Sequence, residues 1–168
     1  MILILLACTT DVEPPPASEP APPVAEVQPE AAEVDTSAFK TGAEALLVDI
    51  DTKTDEEILA AADALTQVGL DLLPALEAQH PECTPYFAAI AEVGLGLKDL
   101  SLEEIESGYH QDGKLPEMPG PECYHGKDLV VHPATVAAMA KVGITTDEDR
   151  QMAKAEIAEV LGHLAGVE

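Results

Sequence analysis

The chain has 168 residues, of which 32 are acidic and only 8 are Lys or Arg, so its formal net charge is -24 at pH 7. This length fits one domain. The charge excludes nucleic acid as a partner, because binding a phosphate backbone requires clustered Lys and Arg and the basic residues here are scattered singly. Aromatic residues make up 3% of the chain and Trp is absent, so the core must consist of Leu, Ile, Val and Ala. That composition favours packed helices over strands.

The chain opens with an apolar run that ends in Leu5-Leu6-Ala7-Cys8. This stretch resembles the lipobox of bacterial lipoproteins. The resemblance implies that residues 1–7 are a signal-like segment removed by cleavage, and that Cys8 then carries the lipid. It also implies a place in the bacterial cell envelope, facing the periplasm or the exterior, with the lipid as the only membrane contact. The alternative is a fortuitous apolar N-terminus with an unmodified Cys8.

Residues 8–37 have the composition of a disordered tether. From Thr9 to Ser37 there are seven acidic residues, no basic residue and seven of the chain's 14 prolines. Such a segment has too few apolar residues to pack a core, and its prolines keep it extended. Fully extended, it would reach on the order of 90 Å. We therefore expect a spacer that holds the following domain away from a membrane.

Residues 38–168 are predicted to form a helical domain. Thr54-Asp55-Glu56-Glu57 is a capping box, which marks the start of a helix. From Ile58 to Leu76, apolar residues recur at steps of three and four and predict one buried face. Pro74 is expected to kink or break this helix, since proline lacks the backbone N–H and clashes with the preceding turn. Thr84-Pro85 predicts the start of the next helix.

The second half of this domain has two further start signals and one irregular stretch. Ser101-Leu102-Glu103-Glu104 is another capping box, and the last helix is expected to begin at Thr146-Asp147-Glu148-Asp149. Residues 111–126, rich in Pro and Gly, are predicted to be a loop, followed by a helical stretch over 133–142. Leu129-Val130-Val131 is the one short candidate for a strand. The whole pattern predicts an all-α fold, a four-helix bundle or a similar small helical domain.

Cys83 and Cys123 form an even pair in a chain that we expect to be exported, and such pairs are usually disulfides. In the chain-entropy model, a disulfide that closes a loop of about 40 residues stabilises the folded state by on the order of 4 kcal/mol. The alternatives are a metal-bound pair or two free thiols.

A disulfide would also bring histidines together. His80 precedes Cys83 by three residues, His125 follows Cys123 by two, and His110 and His132 flank the same loop. Neutral imidazoles with carboxylates suit Zn, Cu or Fe, so the sequence contains a candidate transition-metal site. The alternative is that these histidines are solvated, and His163 is expected to be a helix-end residue favoured by the helix dipole, not a ligand. The candidate ligands are His80, His110, His125, His132, Glu77 and Glu122.

A more specific interpretation rests on spacing. Glu77 and His80, like Glu122 and His125, have the Glu-x-x-His spacing of carboxylate-bridged di-iron bundles. Each motif lies next to a proline near an expected helix end, which counts against this interpretation. The Cys-x-x-Cys-His motif of c-type haem attachment is absent.

The sequence contains no Gly-x-Ser-x-Gly, His-Glu-x-x-His or phosphate-binding Gly-rich motif, so it does not favour an enzyme. Two functional hypotheses follow. In the first, the protein is a membrane-anchored extracytoplasmic module that binds or scaffolds another envelope protein. In the second, it is a metal-binding or redox protein that uses the histidines near the Cys83–Cys123 pair.

Overall fold

The computed structural model of the chain describes residues 33 to 167. This part contains six α-helices and no β-strand, so the all-α prediction is confirmed. The predicted signal-like segment, most of the predicted tether and the lipidation of Cys8 lie outside the described residues. Packing begins just before the expected domain boundary, because the side chain of Val34 is already buried. The helices are α1 Ser37–Thr52, α2 Asp55–Gln79, α3 Thr84–Val93, α4 Leu102–Ile105, α5 Pro121–Val142 and α6 Asp147–His163.

Side-chain caps fix where three of the helices begin. Thr54, Ser101 and Thr146 each accept a hydrogen bond from the backbone N–H three residues later, and the carboxylate at that position bonds back to the cap. These reciprocal bonds satisfy N–H groups that would otherwise lack a partner at a helix start. The starts of α2, α4 and α6 are therefore determined locally, as the sequence predicted.

Helix α5 is the centre of the fold. Every residue from 126 to 140 is buried, and α5 packs against α2, α3, α6 and the 3-10 turn Gly94–Asp99. A helix that is apolar on all sides, as Leu129–Ala140 largely is, can only be stable when other helices surround it. The predicted loop over 111–126 extends too far, because α5 already begins at Pro121. Proline is tolerated there, since the first N–H of a helix has no partner within the helix. Leu129–Val131 is helical.

Helices α2 and α5 lie very close together at Gly69. A Cβ atom at Gly69 of α2 would lie 2.2 Å from the carbonyl oxygen of Leu129. That carbonyl receives no helical hydrogen bond from residue 133, because Pro133 has no N–H. Because Gly69 has no side chain, α2 can lie directly against this carbonyl of α5. Pro74 does not end α2, which continues to Gln79.

By length and composition, α2 is the one helix among the described residues that could cross a membrane. A core helix meets the same criterion. In the structure, α2 has a buried face along its length and packs on α1 and α5.

Candidate functional site

The disulfide between Cys83 and Cys123 is present, as predicted, with a Cα–Cα distance of 5.3 Å. It joins the 3-10 turn Pro81–Cys83 to the first turn of α5. The bond therefore fixes the end of α5 that contains His125, two residues after Cys123.

Four histidines lie close together around α5. The ring centroids of His110 and His132 are 4.9 Å apart, those of His132 and His163 are 5.6 Å apart, and those of His125 and His163 are 5.1 Å apart. Three of the four were candidate ligands from the sequence. His80 lies elsewhere, with its Nδ1 atom 3.5 Å from Glu82.

The structure adds acidic partners that the sequence did not single out. The ligand groups that the described residues bring together contain Asp128 and Glu156, and contain neither Glu77 nor Glu122. His163 also belongs to them, although the sequence suggested only a helix-end role. A signal was available: Asp128 and His132 are four residues apart on α5, and Glu156 and His163 are seven apart on α6, so each pair shares one helix face.

Asp128 is the central residue of this site. Its side chain is fully buried, and its Oδ2 atom lies 3.4 Å from Nε2 of His163 and 3.9 Å from Nε2 of His132. Within the described residues, neither carboxylate oxygen has a hydrogen bond of normal geometry, although burial and the nearby Asp128 raise the pKa of the Tyr124 hydroxyl. Buried polar atoms almost always have a hydrogen-bond partner, and a buried carboxylate that is poorly satisfied is costly.

The neighbouring Lys127 does not account for this carboxylate. Its buried ammonium donates to Oδ1 of Asp112 and to the carbonyl of His110, both at 3.1 Å, and lies 4.5 Å from the ring centroid of Tyr124. It is 3.4 Å from Oδ1 of Asp128, whereas the imidazole distances given above are to Oδ2. Lys127 thus pairs mainly with Asp112, and its charge stabilises the Asp128 carboxylate only in part.

The hydrogen bonds of the two imidazoles indicate which nitrogens are free. Nδ1 of His132 lies 2.7 Å from Oε2 of Glu156, and because a carboxylate only accepts, Nδ1 carries the proton. In the neutral ring with this tautomer, the lone pair of Nε2 of His132 faces Asp128. Nδ1 of His163 lies 2.9 Å from Nδ1 of His125. If His163 is the donor in that bond, its Nε2 lone pair also faces Asp128; if His125 is the donor, Nε2–H of His163 points at the Asp128 carboxylate instead.

The surroundings of His163 favour its neutral form. Burial lowers the pKa of His163, and the nearby Asp128 opposes that shift. In the tautomer in which both Nε2 atoms are unprotonated, two imidazole lone pairs and one carboxylate oxygen converge. A bound cation would stabilise such a group of acceptors.

The distances suit one metal ion. Atoms that bind Zn²⁺ tetrahedrally at 2.0–2.2 Å are about 3.4 Å from each other, close to the 3.4 and 3.9 Å found here. Metal-bound histidines usually donate their other N–H to a carboxylate or another acceptor, which orients the ring. Glu156 can accept the Nδ1–H of His132 in this way, and His125 can accept that of His163 when His163 is the donor.

A second group of ligand atoms consists of His110, His132 and Glu156. His110 ends a π-helical turn, Glu106–His110, a rare form that often occurs at functional sites. Its Nε2 atom is 3.6 Å from Oε2 of Glu156 and 3.2 Å from Oγ1 of Thr135. Burial lowers the pKa of His110, and Glu156 opposes this shift.

No known protein family, curated protein or solved structure matches the chain.

Proposed function

We propose that this protein binds a divalent first-row transition-metal ion through Oδ2 of Asp128, Nε2 of His132 and Nε2 of His163. The observation that carries the proposal is the fully buried Asp128 carboxylate, which has no hydrogen bond of normal geometry among the described residues and faces two imidazoles. Two histidines and one carboxylate suit Zn²⁺, Cu²⁺ or Fe²⁺. Three protein ligands leave a further position for water or another ligand.

The setting that we propose is the bacterial cell envelope, with attachment through a lipid on Cys8. The Cys83–Cys123 disulfide supports this setting, since disulfides persist in oxidising compartments. The acidic chain, with its net charge of -24, also raises the local concentration of cations.

The test is metal binding by the full chain purified without a His tag. Elemental analysis identifies any ion that is retained, and titration of the metal-free protein with Zn²⁺ measures affinity. Zn²⁺ at 100 times its Kd should stabilise the fold by about 2.7 kcal/mol. In a domain of this size, Tm should rise by roughly 5 to 10 °C.

Two variants and two controls make the test specific. Asp128→Asn keeps the shape of the side chain and should abolish the tightest binding, and His163→Gln should weaken it strongly. Asp99→Asn removes an exposed carboxylate that pairs with Lys141, and His80→Gln changes a histidine outside the site; neither should alter binding. The proposal is wrong if Zn²⁺ in excess leaves Tm unchanged, or if Asp128→Asn binds Zn²⁺ as tightly as the wild type.

A further inference from the structure

We infer that the site accommodates two metal ions, with the imidazole of His132 as a bridge between them. The first ion is the one proposed above, on the Nε2 side of this ring. The second lies on the Nδ1 side and is held by Nε2 of His110 and a carboxylate oxygen of Glu156. This inference rests on the proposed function and adds a second site to it.

The bridge follows from the position of His132 between two acidic groups. Its Nε2 atom is 3.9 Å from Oδ2 of Asp128, and its Nδ1 atom is 2.7 Å from Oε2 of Glu156. The side chain is 3% exposed, so the protein fixes the ring in a position where both nitrogens face ligand atoms. Each of the two ligand groups found among the described residues contains His132.

The second site needs a small rearrangement that its exposure permits. Nδ1 of His132 and Oε2 of Glu156, now at hydrogen-bond distance, must separate by about 0.7 Å to reach the 3.4 Å typical of two ligands on one ion. Glu156 is 25% exposed and His110 is 17% exposed, so both can adjust at the surface of the bundle. The carboxylate of the first site, Asp128, is fully buried, whereas that of the second, Glu156, is partly exposed, so we expect the second ion to bind more weakly.

Protons balance in this step. When the second ion binds, His132 loses its Nδ1 proton to solvent and becomes an imidazolate bound to both metals. The Thr135 hydroxyl donates to the carbonyl of Val131, so it accepts from Nε2–H of His110 in the metal-free protein. The ion takes the place of that proton, which moves to Nδ1 of His110 by way of solvent. His110 stays neutral.

The charge of the site is suited to two dications. Asp128, Glu156 and the imidazolate form of His132 contribute three negative charges against four positive ones. The ammonium of Lys127 is already compensated by Asp112 at 3.1 Å. The remaining positive charge lies in a protein with a net charge of -24.

The test measures the number of bound ions and their magnetic coupling. Equilibrium dialysis of the metal-free full chain against Zn²⁺, followed by elemental analysis, should show two ions per chain, bound in two steps. With Cu²⁺, an imidazolate bridge couples the two unpaired spins antiferromagnetically. The integrated EPR intensity of the fully loaded protein should therefore fall clearly below that of the same amount of uncoupled Cu²⁺.

Variants separate the two sites. His110→Gln keeps a hydrogen-bonding group next to Thr135, and should bind one ion with the affinity of the first step. Asp128→Asn should keep only the weaker second step. Each variant should restore full EPR intensity for its single Cu²⁺, and the double variant should bind neither ion. His80→Gln is the control for a fortuitous surface site and should still bind two.

The outcomes separate this inference from the proposed function. Saturation at one ion that Asp128→Asn removes would overturn the bridge and leave the proposed function intact. Two ions without a loss of EPR intensity, or a second ion that persists in His110→Gln, would also overturn the bridge. Binding of no ion would overturn both.

Discussion

Gly166 supports the site without containing a ligand atom, and replacing it tests the role of His125. Gly166 lies in the turn Leu164–Gly166 after α6, and a Cβ atom there would be 2.2 Å from Cδ2 of His125. Real Cβ contacts are essentially never under 3.0 Å, so Gly166→Ala requires the ring or the turn to move by at least 0.8 Å (3.0 minus 2.2). We expect the ring to move, because it is a side chain that is only partly buried. The His125–His163 hydrogen bond is 2.9 Å long, and a contact of 3.6 Å is no longer such a bond. A shift of this size is enough to break it.

The expected result is a loss of metal affinity with little loss of stability. Removing a group that orients a metal ligand typically weakens binding by about 10- to 100-fold, or about 1.4 to 2.8 kcal/mol. His125 is only partly buried, so its ring can turn away and the Tm of the metal-free protein should stay close to that of the wild type. Zn²⁺ titration measures the affinity.

Gly162→Ala is the matched control, because a Cβ at Gly162 would have no atom within 4 Å. It makes the same chemical change one turn earlier and should leave Zn²⁺ affinity unchanged. Equal affinities of the Gly166→Ala and Gly162→Ala proteins would refute the role of His125 as the support of His163.

Three further predictions concern the fold. Gly69→Ala should destabilise the protein by about 1 to 3 kcal/mol or more, because the new Cβ meets a backbone carbonyl of α5. Gly162→Ala should instead stabilise it by up to about 1 kcal/mol. Urea unfolding measures both changes. Replacing Cys83 and Cys123 with Ala should lower the free energy of unfolding by about 4 kcal/mol for a sequence separation of 40 residues, again by urea unfolding. Burial lowers the pKa of His110 below its ordinary 6.5, so the folded state binds this proton less readily than the unfolded state. As far as His110 is concerned, the metal-free protein therefore keeps its full stability above pH 6.5, where His110 is neutral in both states, and loses stability as the pH falls below that value. His110→Gln should reduce the decrease in the urea midpoint between neutral pH and about pH 5.

Each of these predictions has an outcome that contradicts it. A Gly69→Ala protein as stable as Gly162→Ala would mean that α2 and α5 are not in close contact. Free thiols at both cysteines of the native protein, measured under denaturing and non-reducing conditions, would contradict the disulfide. If His110→Gln and the wild type lose stability equally at acid pH, His110 is not buried in its neutral form.

The sequence by itself determined the helical class and the starts of α2, α4 and α6. Those starts depend on Thr54, Ser101 and Thr146, whose caps involve groups only three residues away, so local sequence is sufficient to predict them. The Cys83–Cys123 pairing was also predictable, because these two cysteines are an even pair in the predicted domain.

Only the tertiary structure decided the extent of α5 and the composition of the site. Prolines and glycines near residue 120 predicted a long loop, but α5 already begins at Pro121: the disulfide holds its first turn at Cys123, and the buried residues 126–140 follow directly. Helical periodicity shows that Asp128 and His132 share one face, and that Glu156 and His163 share another. It does not show that these two faces meet, because contact between residues far apart in the chain depends on how α5 and α6 pack together.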